Sequence, residues 1–357
     1  MSRRFLHLAF RNPSGAYSLH RLDTSYLFYK STTAAAAAAA AEKNNGDNKQ
    51  ESSTDEDLQE LASLLSPRFD FQPVRPSRYD NIIRGKNFFA PLGESKILCA
   101  DGAGQTAVYD ASSGSVQVMP GMNSPKGPMH VVLPMLRSGS NGGHAESLYA
   151  MDMLRNRPSP FEVFSMAPGE EEGLWQPLPR PPFLGEPGYQ ARYDAGVASD
   201  GDLIFVSPST MKVGSGTYSF DTVTQEWKKE GEELLPFIGR AEYDHGLGHW
   251  FGIMPFSPYH LCAMNSLYPP MVQHTLEDFD PPEDWKMLYH YLVNLGSGRF
   301  CVAKGFDVDV DDDTWETCSV LIGLEVKRCS DQPGGLKMTK HKTKHVANLL
   351  DIDTFVL

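Results

Sequence analysis

Apolar and polar residues alternate with a period of two in short runs along most of the chain, and turn-forming residues separate the runs. In the segment GTYSFDTVTQEW, Tyr218 and Phe220 alternate with Thr217 and Ser219, which indicates a strand with one buried face. Asp221 then predicts a turn, because its carboxylate can accept hydrogen bonds from backbone N–H groups two or three residues further on. The pattern predicts a protein of short strands and tight turns.

The same phrase, in which an apolar residue precedes an acid or amide at the end of a predicted strand, occurs six times. Two of the intervals between these anchors match the roughly 40–50 residues of a four-stranded propeller blade, and the longer intervals require insertions. The repeat therefore predicts an all-β, six-bladed β-propeller, with unrelated hairpins in a β-sandwich as the alternative. The six anchors are Asp23, Asp110, Asp152, Asp221, Asn265 and Glu325.

Four hairpins are predicted just ahead of four anchors, where a blade would have its innermost strand and the neighbouring strand. The C-terminal segment has no blade of its own, and the first blade lacks an inner strand. We therefore expect Thr354–Leu357 or Val346–Leu350 to pair with the hairpin that begins at Phe5, which would close the propeller and remove exposed strand edges. The hairpins are Phe88–Leu92 with Lys96–Ala100, Ala191–Ala198 with Asp202–Val206, Arg240–Asp244 with His249–Met254, and Tyr289–Asn294 with Arg299–Lys304.

Residues 31–66 are the one compositional break in a chain that otherwise predicts a single propeller domain over residues 1–357. An eight-alanine tract, Ala34–Ala41, and a polar run indicate a low-complexity insertion at the edge of a blade. A short amphipathic helix is predicted at residues 55–65, because leucines share one face and three acids complement the positive helix N-terminus. This helix would pack on its own propeller or serve as a docking helix for a partner.

Charge and composition narrow the classes of function. The 357-residue chain has 32 basic and 45 acidic residues and a net charge of −13, which argues against a nucleic-acid surface. Its five cysteines are scattered, so neither a disulfide framework nor a zinc site is indicated. No apolar run has the ~18–20 residues of a membrane span. We expect a monomer in the cytoplasm or nucleus that contains no metal and no cofactor.

Three clusters of ionisable residues are candidates for metal binding or for a charged surface. An EF-hand loop that starts at Asp307 would need a glycine and a bidentate acid where the chain has Asp312 and Cys318, so calcium binding is disfavoured. His245 and His249 flank a tight turn, where helical spacing does not apply. The basic run KHKTKH predicts a solvated edge strand guarded by lysines.

The phrases YSFDTVTQEW and VYDASSGSVQVMP resemble kelch-type propeller repeats. The Gly-Gly doublet expected before the tyrosine is absent there, since Gly142-Gly143 and Gly334-Gly335 lie in predicted loops. The segments MSRRFLHLAF, SLYAMD, LPFIGRAEY, YLVNLGSGRFCVAK and HKTKH resemble a large, grass-expanded plant family known as a domain of unknown function. That resemblance spans nearly the whole chain and implies a propeller-like protein with no assigned activity or catalytic residues.

In a propeller, the innermost strands bring polar side chains together at one mouth of the central channel. The predicted function is a non-catalytic scaffold or adaptor that binds another polypeptide there, and the alternative is a metal-assisted hydrolase or an oxidase with its site at the channel mouth. The same side chains could instead pack between blades and brace neighbouring sheets. The candidate binding residues are Arg192, Tyr193, Asp194, Arg240, Glu242, Tyr243, Asp244, His290 and Tyr291.

Overall fold

A computed structural model shows that the chain is built from β-strands, as the alternating pattern predicts. Within the described residues it contains 24 strands and two short 3₁₀ helices, which confirms the all-β class. The described residues are 4–11, 15–31, 33–35, 67–74, 85–93, 95–138, 144–166, 173–191, 195–208, 216–311, 314–329, 334–347 and 352–355.

Three four-stranded sheets come first along the chain. The first has the order β24-β1-β2-β3, and the second and third follow chain order. The 3₁₀ helix η1 (Thr24–Leu27) follows the second strand, and η2 (Pro182–Gly185) follows the eleventh. The strands are β1 (Phe5–Arg11), β2 (Tyr17–Asp23), β3 (Pro67–Phe71), β4 (Phe88–Leu92), β5 (Lys96–Ala100), β6 (Thr106–Asp110), β7 (Ser115–Met119), β8 (His130–Ser138), β9 (His144–Asp152), β10 (Phe161–Met166), β11 (Gly173–Pro177) and β24 (Ile352–Phe355).

The remaining strands form one eight-stranded sheet and one further four-stranded sheet. The larger sheet has the order β15-β14-β13-β12-β16-β17-β18-β19, and the smaller one is β20-β21-β22-β23. The strands are β12 (Gly196–Asp200), β13 (Leu203–Ser207), β14 (Thr217–Asp221), β15 (Glu226–Gly231), β16 (Ile238–Asp244), β17 (His249–Ile253), β18 (Leu261–Met264), β19 (Val272–Leu276), β20 (Lys286–Gly296), β21 (Arg299–Asp311), β22 (Thr314–Arg328) and β23 (Leu336–Ala347).

The predicted pairing of the two chain ends is confirmed. β24 pairs antiparallel with β1, and the register places His7 opposite Phe355 and Phe10 opposite Ile352. The C-terminal strand therefore adds to the N-terminal hairpin and covers the edge of β1 that does not pair with β2. Of the two segments proposed for this role, the one around Thr354 is correct. Val346 instead belongs to β23.

The prediction of six separate blades is wrong, because four separate four-stranded sheets are present. Two predicted blades merge into the eight-stranded sheet through a parallel pairing of β12 with β16, in which Gly196 lies opposite Gly239 and Val197 opposite Arg240. A Cβ atom on Gly196 would lie 2.6 Å from the carbonyl oxygen of Phe237, so the absence of a side chain permits this close approach. Period-two patterning gives no sign of such a contact.

The six anchors are not structurally equivalent, which contradicts part of the repeat assignment. Asp23, Asp110 and Asp221 end β2, β6 and β14, each of which pairs with the edge strand that follows it in the chain. Asp152 instead ends β9, the second strand of its sheet, and Glu325 lies inside β22. Both strands are buried on their two faces and are therefore apolar along most of their length. An apolar residue before an acid in such a strand does not show where the strand ends or which place it has in the sheet.

The chain divides into two compact units. The first comprises Met1–Asp70, Glu242–Asn265 and Val272–Val356. Its central sheet, β20–β23, packs one face against β1, β2 and η1 and the other against β17–β19. Because both faces are covered, the middle of β22 consists almost entirely of buried residues, with Val320, Leu321, Ile322 and Leu324 each 0% exposed.

The second unit comprises Phe71–Ala241, Ser266–Met271 and Leu357. Here β8–β11 is the central sheet, with β4–β7 packed on one face and β12–β14 on the other. The prediction of a single domain over residues 1–357 stays a prediction. The helix predicted at residues 55–65 lies outside the described residues, as does most of the predicted insertion.

Candidate interaction surface

The predicted binding residues occupy three places in the chain. Arg240, Glu242, Tyr243 and Asp244 lie on β16, and His290 and Tyr291 lie on β20, the first strand of its sheet. The segment 192–194, which supplies the other three candidates, lies outside the described residues. Their convergence at a channel mouth therefore stays a prediction.

Asp244 has a structural role in the first unit. It is 3% exposed, its Oδ1 accepts a hydrogen bond from the Leu247 N–H at 2.9 Å, and its Oδ2 accepts one from the Gly298 N–H at 3.2 Å. Its neighbour Tyr243 packs on Trp250 with 4.8 Å between ring centroids. These contacts brace the β16–β17 turn and the β20–β21 turn, and they support the bracing interpretation for Asp244.

A different surface, on one face of the β20–β23 sheet, gathers four cations, and we call it the cationic surface. The register places Arg299 opposite Glu325, and Lys327, two residues further along β22, opposite Lys337. Side chains opposite one another in antiparallel strands project from the same face. Lys342 completes the set, because its Nζ lies 5.5 Å from the centre of the Tyr29 ring, which packs beside this face.

Aromatic rings from the segment after η1 support the cationic surface. The Arg299 guanidinium carbon lies 4.9 Å from the centre of the Phe28 ring, and this ring lies 5.0 Å from that of His341. The Tyr29 N–H donates to His341 Nδ1 at 3.1 Å, so a neutral His341 ring carries its proton on Nε2, which faces Glu325. A Cβ atom on Gly323 would lie 2.2 Å from the Leu27 carbonyl oxygen, so this glycine allows η1 to approach the sheet.

The electrostatics of the surface favour an incoming anion. Glu325 is almost buried and lies 2.9 Å from Lys327 Nζ and 3.5 Å from Arg299 Nε. Burial by itself would raise the pKa of Glu325, but the Lys327 hydrogen bond and the Lys327 and Arg299 charges outweigh it and lower that pKa. Desolvation lowers the pKa of His341, so its ring is neutral at pH 7. Two cations, Arg299 and Lys327, therefore flank one carboxylate, and their side chains are 38% and 60% exposed.

Sequence reasoning recognised part of this surface. The KHKTKH run does form an edge strand, since β23 is the last strand in its sheet order. The prediction that the run is solvated is wrong for His341, which is 4% exposed. Arg299 was not identified as a candidate, because only the register of β21 and β22 brings it opposite Glu325. In the sequence, only the dense run of lysines in KHKTKH indicates a positively charged surface.

Each unit also buries one lysine against one carboxylate. In the second unit, Lys126 Nζ donates to Glu162 Oε1 and, at 2.9 Å in each case, to the carbonyl oxygens of Ser124 and Ser159. In the first unit, Lys304 Nζ donates to Asp278 Oδ2 at 2.6 Å. All four charged side chains are 0% exposed. Desolvation lowers the pKa of both lysines, although the carboxylates oppose that shift.

Other side chains that could bind a metal or act as a nucleophile either contact protein groups or have raised pKa values. His249, one of the two histidines that flank the Gly246–Gly248 turn, contacts the Leu247 carbonyl oxygen at 2.8 Å and Gln273 Oε1 at 3.0 Å. Burial raises the pKa of the Cys262 and Cys301 thiols to about 12. Over the described ranges, no group of three or more histidine, cysteine, aspartate or glutamate residues is arranged to hold a metal ion. No helix in that part of the chain is long and apolar enough to cross a membrane.

Comparisons with solved structures return weak similarities. The chain is similar to the N-terminal domain of Nup159, with a TM-score of 0.34 and 10% identity over 75% of this chain and 65% of that chain. It is also similar to a chain in an S. cerevisiae complex of Dbp5 with Nup159, Gle1, IP6 and ADP, with a TM-score of 0.34 and 9% identity over 75% of this chain and 64% of that chain. The present chain thus spans slightly less than two thirds of either chain.

No curated protein matches the sequence. One family model does match it, from residue 3 to residue 347, under the description "Protein of unknown function (DUF1668)". The match confirms the resemblance to a domain of unknown function, while the grass-expanded plant origin and the kelch-type repeats stay predictions. Since the match covers nearly the whole sequence, the chain belongs to the DUF1668 family.

Proposed function

We propose that this chain is a non-catalytic protein-interaction scaffold or adaptor, and that the cationic surface contacts its partner. The observation that carries the proposal is the excess of positive charge on the cationic surface, where four cations face the single carboxylate of Glu325, on a chain whose net charge is −13. Complementary charge steers association and rejects wrong partners, and arginine and aromatic residues are enriched at protein interfaces. The partner is expected to present acidic residues.

Aromatic rings hold two of the cations in position, which favours recognition of a partner protein. Arg299 lies over the Phe28 ring and Lys342 over the Tyr29 ring, so both side chains already have a packing partner. A side chain that is positioned before binding loses less conformational entropy when the partner arrives. The surface therefore has the pre-organisation expected of a binding site.

The contacts and pKa values of the buried ionisable groups support a non-catalytic role. Lys126 and Lys304 are paired with carboxylates inside the core, and Asp244 braces two turns. The buried thiols of Cys262 and Cys301, with raised pKa values, carry little thiolate at neutral pH. Metal analysis of the purified protein tests this part of the proposal, because a stoichiometric bound ion would favour the hydrolase or oxidase instead.

Affinity capture from native tissue tests the interaction itself. The informative variant is Lys337→Gln/Lys342→Gln, which removes two charges from β23. The control, Lys228→Gln/Lys229→Gln, removes two charges from the outer strand β15, where these lysines pair with Glu230 and Glu232. We expect the wild type and the control to capture the same partners and the β23 variant to lose them. Equal capture by all three proteins would show that the cationic surface is not the contact.

A further inference from the structure

The outer strand β23 differs in length from the other outer strands of the fold. It has 12 residues, whereas β3, β7, β11 and β19 have five each and β15 has six. On one side β23 pairs with β22, and within the described residues no strand is hydrogen-bonded to its other edge. Alternate residues of an edge strand direct N–H and C=O groups outward, so β23 offers about six such residues to an added strand.

The charge on β23 distinguishes a binding edge from a merely protected one. Charged side chains, lysines above all, protect an edge strand from unwanted pairing, and that protection does not require charges of a single sign. The outer strand β15 follows that rule, with Glu226 and Glu230 balancing Lys228 and Lys229. β23 instead carries four lysines and no acid. A strand that carries only positive charge repels basic strands and attracts an acidic one, because like charges on neighbouring strands repel and opposite charges attract.

The lysines are also placed on both faces of β23. Lys337 lies opposite Lys327, on the face that carries Arg299 and Glu325. Lys340 lies opposite Leu324, on the other face, and its Nζ is 5.9 Å from the centre of the Phe279 ring. Successive side chains of a strand point to opposite faces, so an added strand with acids at neighbouring positions would meet a cation on each side.

From this geometry we infer that β23 binds an acidic, extended segment of a partner protein, which adds to the sheet as a fifth strand. The inference rests on the proposed function and specifies the partner and the mode of binding. A polypeptide is favoured over a nucleic acid, because an edge strand offers backbone hydrogen bonds and the net charge of −13 opposes a long polyanion. Main-chain pairing supplies the geometry, and the lysines select for acids.

Fluorescence anisotropy with the full-length chain tests this mode of binding. The probe is a labelled twelve-residue peptide in which pairs of glutamates alternate with pairs of threonines, so that both faces of the strand carry acids. Its matched control is the same peptide with every backbone amide N-methylated, which keeps the charge but removes the hydrogen-bond donors of both edges. We expect the first peptide to bind, with an affinity that falls as salt rises, and the N-methylated peptide to bind at least about tenfold more weakly, a difference of about 1.4 kcal/mol.

Two protein variants localise the binding. Lys337→Gln/Lys342→Gln should weaken binding of the glutamate–threonine peptide about tenfold, whereas Lys228→Gln/Lys229→Gln should leave its affinity unchanged. Equal binding of both peptides, or equal competition by a twelve-nucleotide single-stranded DNA, would overturn strand addition in favour of a general polyanion site. If acidic peptides fail to bind while the β23 variant still loses captured partners, this inference falls and the proposed function survives.

Discussion

The two fully buried lysine–carboxylate pairs differ in how completely their hydrogen-bonding groups are satisfied. Glu162 accepts a hydrogen bond from Lys126 and also from three groups of the loop between β7 and β8, the Asn123 N–H, the Asn123 Nδ2 and the Ser124 N–H. Asp278 accepts from Lys304 Nζ and from the Leu261 N–H. The first pair thus fastens a loop to β10, while the second links β21 to β18.

The histidines beside the two pairs titrate in opposite directions. Desolvation lowers the pKa of His130 to about 4, helped by the charges of Lys86, Lys126 and Arg157. In the other unit, the Asp278 carboxylate, whose Oδ1 lies 3.6 Å from His260 Nδ1, raises the pKa of His260, and the Asp280 charge adds to the effect. The same side chain therefore stays neutral where burial dominates and is more readily protonated where neighbouring carboxylates dominate.

The largest effect is expected from breaking the Lys126–Glu162 pair on one side only. Glu162→Gln leaves the buried Lys126 ammonium without its counterion, which should lower the free energy of unfolding by about 3–5 kcal/mol. Urea unfolding measures the loss. The control, Glu232→Gln, removes a 69% exposed carboxylate that pairs with Lys229, and it should cost less than about 1 kcal/mol. Similar losses in the two variants would show that the buried pair is not needed for stability.

A smaller effect is expected when both members of the Lys304–Asp278 pair become apolar, and the same change in the Lys126–Glu162 pair should cost more. Lys304→Met/Asp278→Leu leaves the Leu261 N–H without its acceptor, at a cost of about 1–3 kcal/mol. Lys126→Met/Glu162→Leu leaves the three donors on Asn123 and Ser124 without theirs, so its cost should be larger. Urea unfolding of both double variants gives the comparison, and equal losses would contradict the difference in hydrogen-bond satisfaction.

The smallest effect concerns pH. The pKa of His130 is below its unfolded value of 6.5, so the unfolded chain takes up this proton first, and stability is lost as pH falls from about 6.5 toward 4. The pKa of His260 is above 6.5, so its contribution is complete below pH 6.5 and is lost as pH rises through the raised pKa. Either slope is at most about 1.4 kcal/mol per pH unit.

Urea unfolding from pH 5 to pH 8 separates the two contributions. His130→Gln should reduce the loss of stability on the acidic side, and His260→Gln should reduce the loss on the basic side. Each variant is compared with the wild type at the same pH, so other titrating groups cancel to first order. A change of the same sign in both variants would refute the opposite shifts.

Much of the local structure could be predicted from the sequence. The hairpin of β4 and β5 has the predicted bounds, Phe88–Leu92 and Lys96–Ala100. The predicted turn aspartates also behave as expected, since Asp110 Oδ1 accepts from the Ser112 N–H at 2.8 Å and Asp221 Oδ1 from the Val223 N–H at 2.8 Å. These features depend on residues within a few positions of one another, and the sequence contains that information directly.

The candidate site was harder to predict, because its parts are distant in sequence. Tyr29 donates to His341, which is 312 positions away along the chain. Glu325 follows the same apolar phrase as the turn aspartates, yet the register of β21 and β22 places it inside a strand, opposite Arg299. The sequence pattern of an apolar residue before an acid is the same whether the acid ends a strand at a turn or lies inside a strand. Only the neighbouring strand decides which role the acid takes.

By itself, the sequence determined that this chain forms short strands, where many of them turn, and that its two ends pair, because alternation and turn chemistry act over a few residues and an unpaired edge is costly. Only the tertiary structure decided that β12 joins β16 in one sheet, that Lys126 and Lys304 are buried, and that four cations share one face. Those outcomes depend on register and packing between distant segments, for which the local pattern contains no signal.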